Sequence, residues 1–496
     1  MPARLSNPDI ALAMSLPEVA SRSDTDRLRA LVIAAGICCS ILFVVVGLRY
    51  ELQLYGDGAV FSYSVAVQDA WAFHWHNISG RLAVYLFSLA PADLYVALTG
   101  GAGGGIVAYG LLFFAAPLLG LAMTFAADRS KGRIIFGYAC FSTAILCPLV
   151  FGFPTEMWMA HALFWPALAA SHYARRSISG TILVFALLLA LVFTHEGALI
   201  LAFTIVATLF LRGARDFAFL RAAGALLAAL AIWAAVKLLV PPDDYFDNVL
   251  IRAALNFFDA FILSTRLVLL IVKTVAIYAI AFFILRRFTP VKAHIWAAAI
   301  IALGLAVYWL QIDQGIHAAN RYYLRTVLVA VPPMFGALAI LYALRADGRL
   351  PGWMPFLPRV MTAITGRLTA QAIAGAFLLV MLVHAVETAK FVTAWTKYKA
   401  AVVALATGVA SDPALGDPHF VSSERIASDL NRLSWNSTTQ FLSVIGAKFT
   451  PARLVVDPSD NYFWLSCKTA TANFDADRAV PAESRDLVRI HACLHR

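Results

Sequence analysis

Long apolar runs separated by short polar connections occupy the chain from Ala30 to about Glu387, after which the composition turns mixed. A helix needs about 20 apolar residues to cross about 30 Å of hydrocarbon. Segments that meet this need lie near 29–49, 102–126, 134–152, 157–174, 180–194, 197–212, 218–240, 263–285, 293–312, 324–344 and 370–390. About eleven membrane-spanning helices are therefore expected, and they can be ordered by charge. With the N-terminus inside, the basic connections "DRSKGR", "HYARRS", "RGARDFAFLR", "RRFTPVKAH" and "RADGRLPG" all fall on one side.

Two readings carry that count. A single helix from Gly180 to Arg212 would run about 50 Å and would send later basic loops to the wrong side, so a hairpin is expected at "FTHEG". The segment Leu82 to Leu98 contains Pro91 and Asp93 in a short apolar run, and counting it as a span would invert every later loop. Residues 51–100 are therefore expected to form a long outer loop with re-entrant or surface helices. The expected fold is an all-α polytopic membrane protein. It has a tail at 1–28, a membrane domain at 29–391 and a small α/β or α+β domain at 392–496. In the last part, "SSERIASDLNRLS" reads as an amphipathic helix opened by serine caps and "ARLVVDPSDNYFWLSC" as β-rich.

Composition supports this division. Of the 496 residues, 61% are hydrophobic and 14% charged, which one soluble core could not hide. The first apolar run follows a mostly polar stretch without a small-residue cleavage site after it, so it reads as an anchor. The formal charge of +10 follows from basic residues collected in inner loops, and no nucleic-acid module is visible. "TGGAGGG" at Thr99–Gly105 lacks the GK[ST] of a phosphate loop and suits close helix packing. Cys38, Cys39, Cys140 and Cys147 sit in apolar helices. Cys467 and Cys493 stand in the tail, which the topology puts in the oxidising periplasm, so they are disulfide candidates.

Five outer connections, "YGDGA…HWHNISGR", "GFPTEMW", "FTHEG", "VPPDDYFDN" and "IDQGIHAANRYY", hold most of the candidate chemistry. Asp57, between glycines, suits a general base on a hydroxyl, or is a solvated loop residue or cap. Arg81, just after Asn77, offers a fork for phosphate or carboxylate. Glu156 reads first as a helix cap. His195 and Glu196 lie at a turn below the surface, either as a structural pair or in contact with substrate. Near His317, Arg321 and Tyr322 break the inside bias for positive charge, which suits an anionic ligand, whereas Arg325 reads as snorkelling to the headgroups.

"GDGAVFSY" followed by "WHNISGR" resembles the acidic and asparagine-glycine-arginine motifs of bacterial families related to O-antigen-modifying glucosyltransferases. Together with the many spans and the long first outer loop, the membrane domain is similar to the GT-C superfamily of membrane glycosyltransferases. That resemblance implies a polyprenyl-phosphate sugar donor, a glycan or lipid acceptor in the cell envelope, Asp57 at the acidic catalytic position and Arg81 as the first-loop arginine. It also implies a bacterial inner-membrane location with the C-terminus in the periplasm. The family's paired acids appear here as one aspartate, which leaves a divalent metal possible and no cofactor certain. A transporter or flippase, or a non-catalytic scaffold, stays open as an alternative, although no paired inverted repeats are visible.

Overall fold

The computed structural model describes residues 22–68, 70, 81–146, 156–239, 265–289, 292–307, 320–350, 370–408, 420–434, 438–450 and 453–456. The molecule is mostly helical. In chain order the helices are α1 (Arg22–Arg49), α2 (Asp57–Ala66), α3 (Leu82–Thr99), α4 (Ala102–Ala127), α5 (Ile134–Leu146), α6 (Met157–Tyr173) and α7 (Ile178–Val192). They continue with α8 (Ala198–Phe210), α9 (Phe217–Leu239), α10 (Thr265–Phe288), α11 (Ala293–Val307), α12 (Asn320–Ala346) and α13 (Ala370–Gly408). Each apolar segment picked out by the sequence coincides with a helix over its described residues, within a few residues at the ends. By length and composition, five stretches among the described residues suffice to cross a membrane: Thr25–Arg49, Leu82–Thr99, Ala102–Ala127, Phe217–Leu239 and Ile373–Gly408.

Burial against lipid-like surroundings does not drive helices together, so contact depends on small residues that let backbones approach. α4 lies along α6, and a Cβ added at Gly120 would stand 2.5 Å from the Ala162 carbonyl oxygen. α1 meets α5 in the same way, with Gly36 against Cys140. Polar side chains add ties. The Ser142 hydroxyl of α5 lies 3.0 Å from His161 Nε2 of α6, so His161 binds a neighbouring helix. At the opposite end of α6, Arg221 donates to the carbonyl oxygens of Ser171, Ala174 and Arg175, where the helix dipole favours a cation.

The structure corrects the expected loop at 51–100. α2 is buried along most of its length, and α3 is a continuous helical stretch of 18 residues. Pro91 does not interrupt α3 because the backbone widens into a π-turn at Tyr85–Leu89 just before it, which absorbs the lost hydrogen bond. Gly105 packs against Val96 where α3 turns back onto α4, so the glycine run serves packing. The hairpin at "FTHEG" is present as two helices of 15 and 13 residues, α7 and α8.

The division at 391/392 falls inside a helix. α13 has 39 residues, about 58 Å of helix, far beyond the thickness of a hydrocarbon core. Its distal half is an aromatic strut. Tyr55 packs edge-on against Phe391 and Trp395 with centroids 5.1 and 5.3 Å away, and Trp395 Nε1 donates to the Tyr50 carbonyl at 3.0 Å. Lys399 pairs with Glu51 on the same face. Beyond it, β1 (Phe420–Ser422) pairs in parallel with β2 (Leu454–Val456), and α15 (Thr439–Gly446) packs on both β2 and α2. The expected helix at "SSERIASDLNRLS" is instead a 3-10 turn, Ser423–Arg425, and a single helical turn, α14 (Ser428–Asn431). The Ser422 side chain caps the first turn, and extended backbone at Ile426 and Ala427 prevents the two from fusing. Cys467 and Cys493 lie outside the described residues.

Trp395 is 1% exposed and bridges the strut to the 50–56 turn. Trp395→Ala should cost about 3–5 kcal/mol by opening a cavity. A lowered thermal unfolding midpoint, with hydrogen exchange accelerated first in residues 50–66, would check it.

Candidate functional site

Asp57 is placed by its neighbours. Gly56 has φ 60° and ψ −137°, a conformation that only glycine takes without strain, and it lets the chain turn from the 3-10 turn Leu52–Leu54 into α2. Tyr55 is clamped under α13, and Asp57 opens α2, half-buried. The Tyr109 phenol of α4, 2% exposed, lies within electrostatic reach of both Asp57 and Glu156. Two acids that lie 99 positions apart in the chain are therefore neighbours in space.

Arg81 is the centre of a larger constellation. It stands at the start of α3, where the Ala83 amide donates to the Phe193 carbonyl and so joins α3 to the α7–α8 turn. Its Nη1 donates to Glu156 Oε1 at 2.8 Å, its Nη2 to Glu196 Oε2 at 2.9 Å, and its Nε to Glu196 Oε2 at 3.3 Å. Lys237, in the last turn of α9, brings Nζ to 3.7 Å from Glu196 Oε1 and lies over the Trp233 ring. All four charged side chains are at most 17% exposed. Burial opposes the Arg81 charge, yet the two carboxylates hold its value above the ordinary one. Burial alone would push Glu196 up, but Arg81, His195 and Lys237 hold it down to about 2.

Three expectations change on this geometry. Glu156 occupies the cap position of α6 but its side chain makes no capping hydrogen bond, since Arg81 attracts it more strongly. His195 is 3.8 Å from Glu196, and its Nδ1 accepts the Gly197 amide at 2.9 Å, so that nitrogen cannot also donate to the carboxylate. The tie between helices therefore runs from Glu196 to Arg81 instead of to its sequence neighbour. The Arg81 fork, expected to meet a phosphate, meets two carboxylates.

Arg81, Glu156, His195 and Glu196 are thus brought together, with Asp57 beside them across Tyr109. Arg321 and Tyr322 fall in the first turn of α12, and Asn77 and His317 lie outside the described residues. Tyr109 and Lys237 were not anticipated. Lys237 had a visible signal as the one charge in "AIWAAVKLLV", since an ionisable group in an apolar run is functional or paired. Tyr109 had none. Among the described residues no group of three His, Cys, Asp or Glu side chains is placed to hold a metal ion.

Arg81→Met would leave two half-buried carboxylates facing each other without a cation. A loss of about 3–5 kcal/mol is expected, and Arg81→Lys should recover only part of it because a point charge cannot fork to both. Thermal unfolding of the purified variants would check this. Glu196 titrates near 2 in the fold against an ordinary 4.5, so its stabilising effect is complete above about pH 4.5 and fades as pH falls through 2. The stability gap between wild type and Glu196→Gln should close over that window.

No family model, no curated protein and no solved structure matches this chain, and its reading rests on the geometry above.

Proposed function

We propose that the chain is a membrane glycosyltransferase that moves a sugar from a polyprenyl-phosphate donor to a glycan or lipid acceptor of the cell envelope. One observation carries this reading: Asp57 opens a buried helix beside a polar constellation drawn from α3, α6, the α7–α8 turn and α9 at one end of an apolar bundle. A donor with its tail in lipid and its phosphate at the interface needs a cation near the membrane edge and a carboxylate for the acceptor. In the proposed reaction Asp57 takes the proton of the acceptor hydroxyl as its oxygen attacks the anomeric carbon. The bond to the phosphate oxygen breaks with its electron pair leaving on the phosphate, so the anomeric carbon inverts. Cationic groups lower the energy of that developing charge. With Glu156 and Glu196 engaged by Arg81, no step is routed through a metal.

The same reading places the protein in a bacterial inner membrane, with the N-terminus cytoplasmic and the C-terminus periplasmic. An alkaline phosphatase fusion at Arg496 should be active, and activity only from a cytoplasmic reporter would reverse the assignment. Asp57→Asn should leave the folded protein and its donor affinity nearly intact while lowering transfer about 100-fold or more. Mass spectrometry of surface glycans and lipids, with and without the protein, identifies the acceptor. Unchanged glycans together with a lipid redistributed between leaflets would favour a flippase instead.

A further inference from the structure

Arg81 is the cation to which the sequence points for an anionic headgroup, and the fold engages it elsewhere. All three of its nitrogens donate to Glu156 or Glu196, so a phosphate reaching it would have to displace two carboxylates. The other cation of the constellation differs in kind and in place. Lys237 Nζ is 3.7 Å from Glu196, longer than a hydrogen bond, and 5.6 Å from the centre of the Trp233 ring. Its side chain is 12% exposed, yet the next two residues, Leu238 and Leu239, are 83% and 81% exposed. Leu227 and Ile232, further back on α9, are also exposed. The ammonium therefore reaches into the constellation from a helix whose apolar flank faces outward.

We infer that Lys237 receives the phosphate of a lipid-linked donor, which approaches sideways from the membrane with its apolar chain along the exposed flank of α9. This inference rests on the glycosyltransferase reading. Three features support it. Glu196 keeps Arg81 as a hydrogen-bonded partner, so Lys237 can turn towards a phosphate without leaving the carboxylate unpaired. An ammonium is a compact charge on a flexible stem, which suits a phosphate arriving on a mobile chain better than a rigid fork does. The stem can also lie along apolar surface while its head stays at the polar end of the helix. Lys237 thus marks the side from which the donor enters, and Arg81 holds the site's wall.

The test uses the full chain, purified in detergent or nanodiscs, with polyprenyl phosphate, the matching polyprenol and inorganic phosphate as probes in native mass spectrometry. Wild type should bind polyprenyl phosphate more tightly than polyprenol. Lys237→Gln should weaken the phosphate form by about 10-fold or more, the scale of one lost charge-assisted contact, and leave polyprenol binding unchanged. Lys237→Arg should restore most of the loss. Equal binding by Lys237→Gln and wild type would overturn the role of Lys237 and leave the glycosyltransferase reading standing. A wild type that binds no polyprenyl phosphate would overturn both. Displacement of polyprenyl phosphate by comparable concentrations of inorganic phosphate would assign the cation to a soluble ligand and overturn the sideways approach. Wild-type protein supplies a check that does not depend on the variants folding: polyprenyl phosphate, and not polyprenol, should protect Lys237 from an amine-reactive reagent. Equal labelling with either lipid would count against the inference.

Discussion

The guanidinium of Arg81 between the carboxylates of Glu156 and Glu196 is the contact on which the geometry of the site depends. Charges removed from water are tolerated only when each has an opposite partner at hydrogen-bonding distance. Here one forked cation meets that demand for two acids from different parts of the chain. The start of α3, the start of α6 and the α7–α8 turn must therefore meet at one point. The backbone bond from Ala83 to Phe193 fixes the same meeting, so side-chain and main-chain constraints agree. Lys237 extends the arrangement to α9 through the second oxygen of Glu196.

A second constraint comes from the far half of α13. Its aromatic face clamps Tyr55, its indole binds the Tyr50 carbonyl, and the short parallel pair β1–β2 with α15 closes over α2. Tyr63 of α2 packs against Phe441 of α15, while Phe61 on the same helix meets Tyr109 of α4. α2 is thus held between the C-terminal part and the helical bundle. Asp57, at its first residue, sits where the aromatic clamp and the charged constellation come closest. A change in the C-terminal part has a direct mechanical path to this carboxylate.

Much of the helical layout was legible in the sequence because it follows from local composition. Apolar run length places helices such as α1, α4 and α9, and the polar break at "FTHEG" separates α7 from α8. The same logic failed at 82–99, where Pro91 and Asp93 suggested an interrupted surface segment. The π-turn before Pro91 is a backbone adjustment that no residue pattern announces. "SSERIASDLNRLS" failed in the opposite direction, because good caps and periodicity could not outweigh the extended backbone that the packing around Ile426 imposes.

For the site, the sequence by itself determined which residue types stand at one end of the bundle: Asp57, Arg81, Glu156, His195 and Glu196 all occur in polar breaks between apolar runs. Only the tertiary structure decided how they pair. Glu156 was a sensible cap and His195 a sensible partner for Glu196 so long as each was judged by its neighbours in the chain. Arg81 overrides both choices from 75 and 115 positions away. Run length and capping are properties of adjacent residues and can be read along the chain, whereas a charge in a low-dielectric interior selects its partner by distance in space, and that distance exists only once the helices have packed.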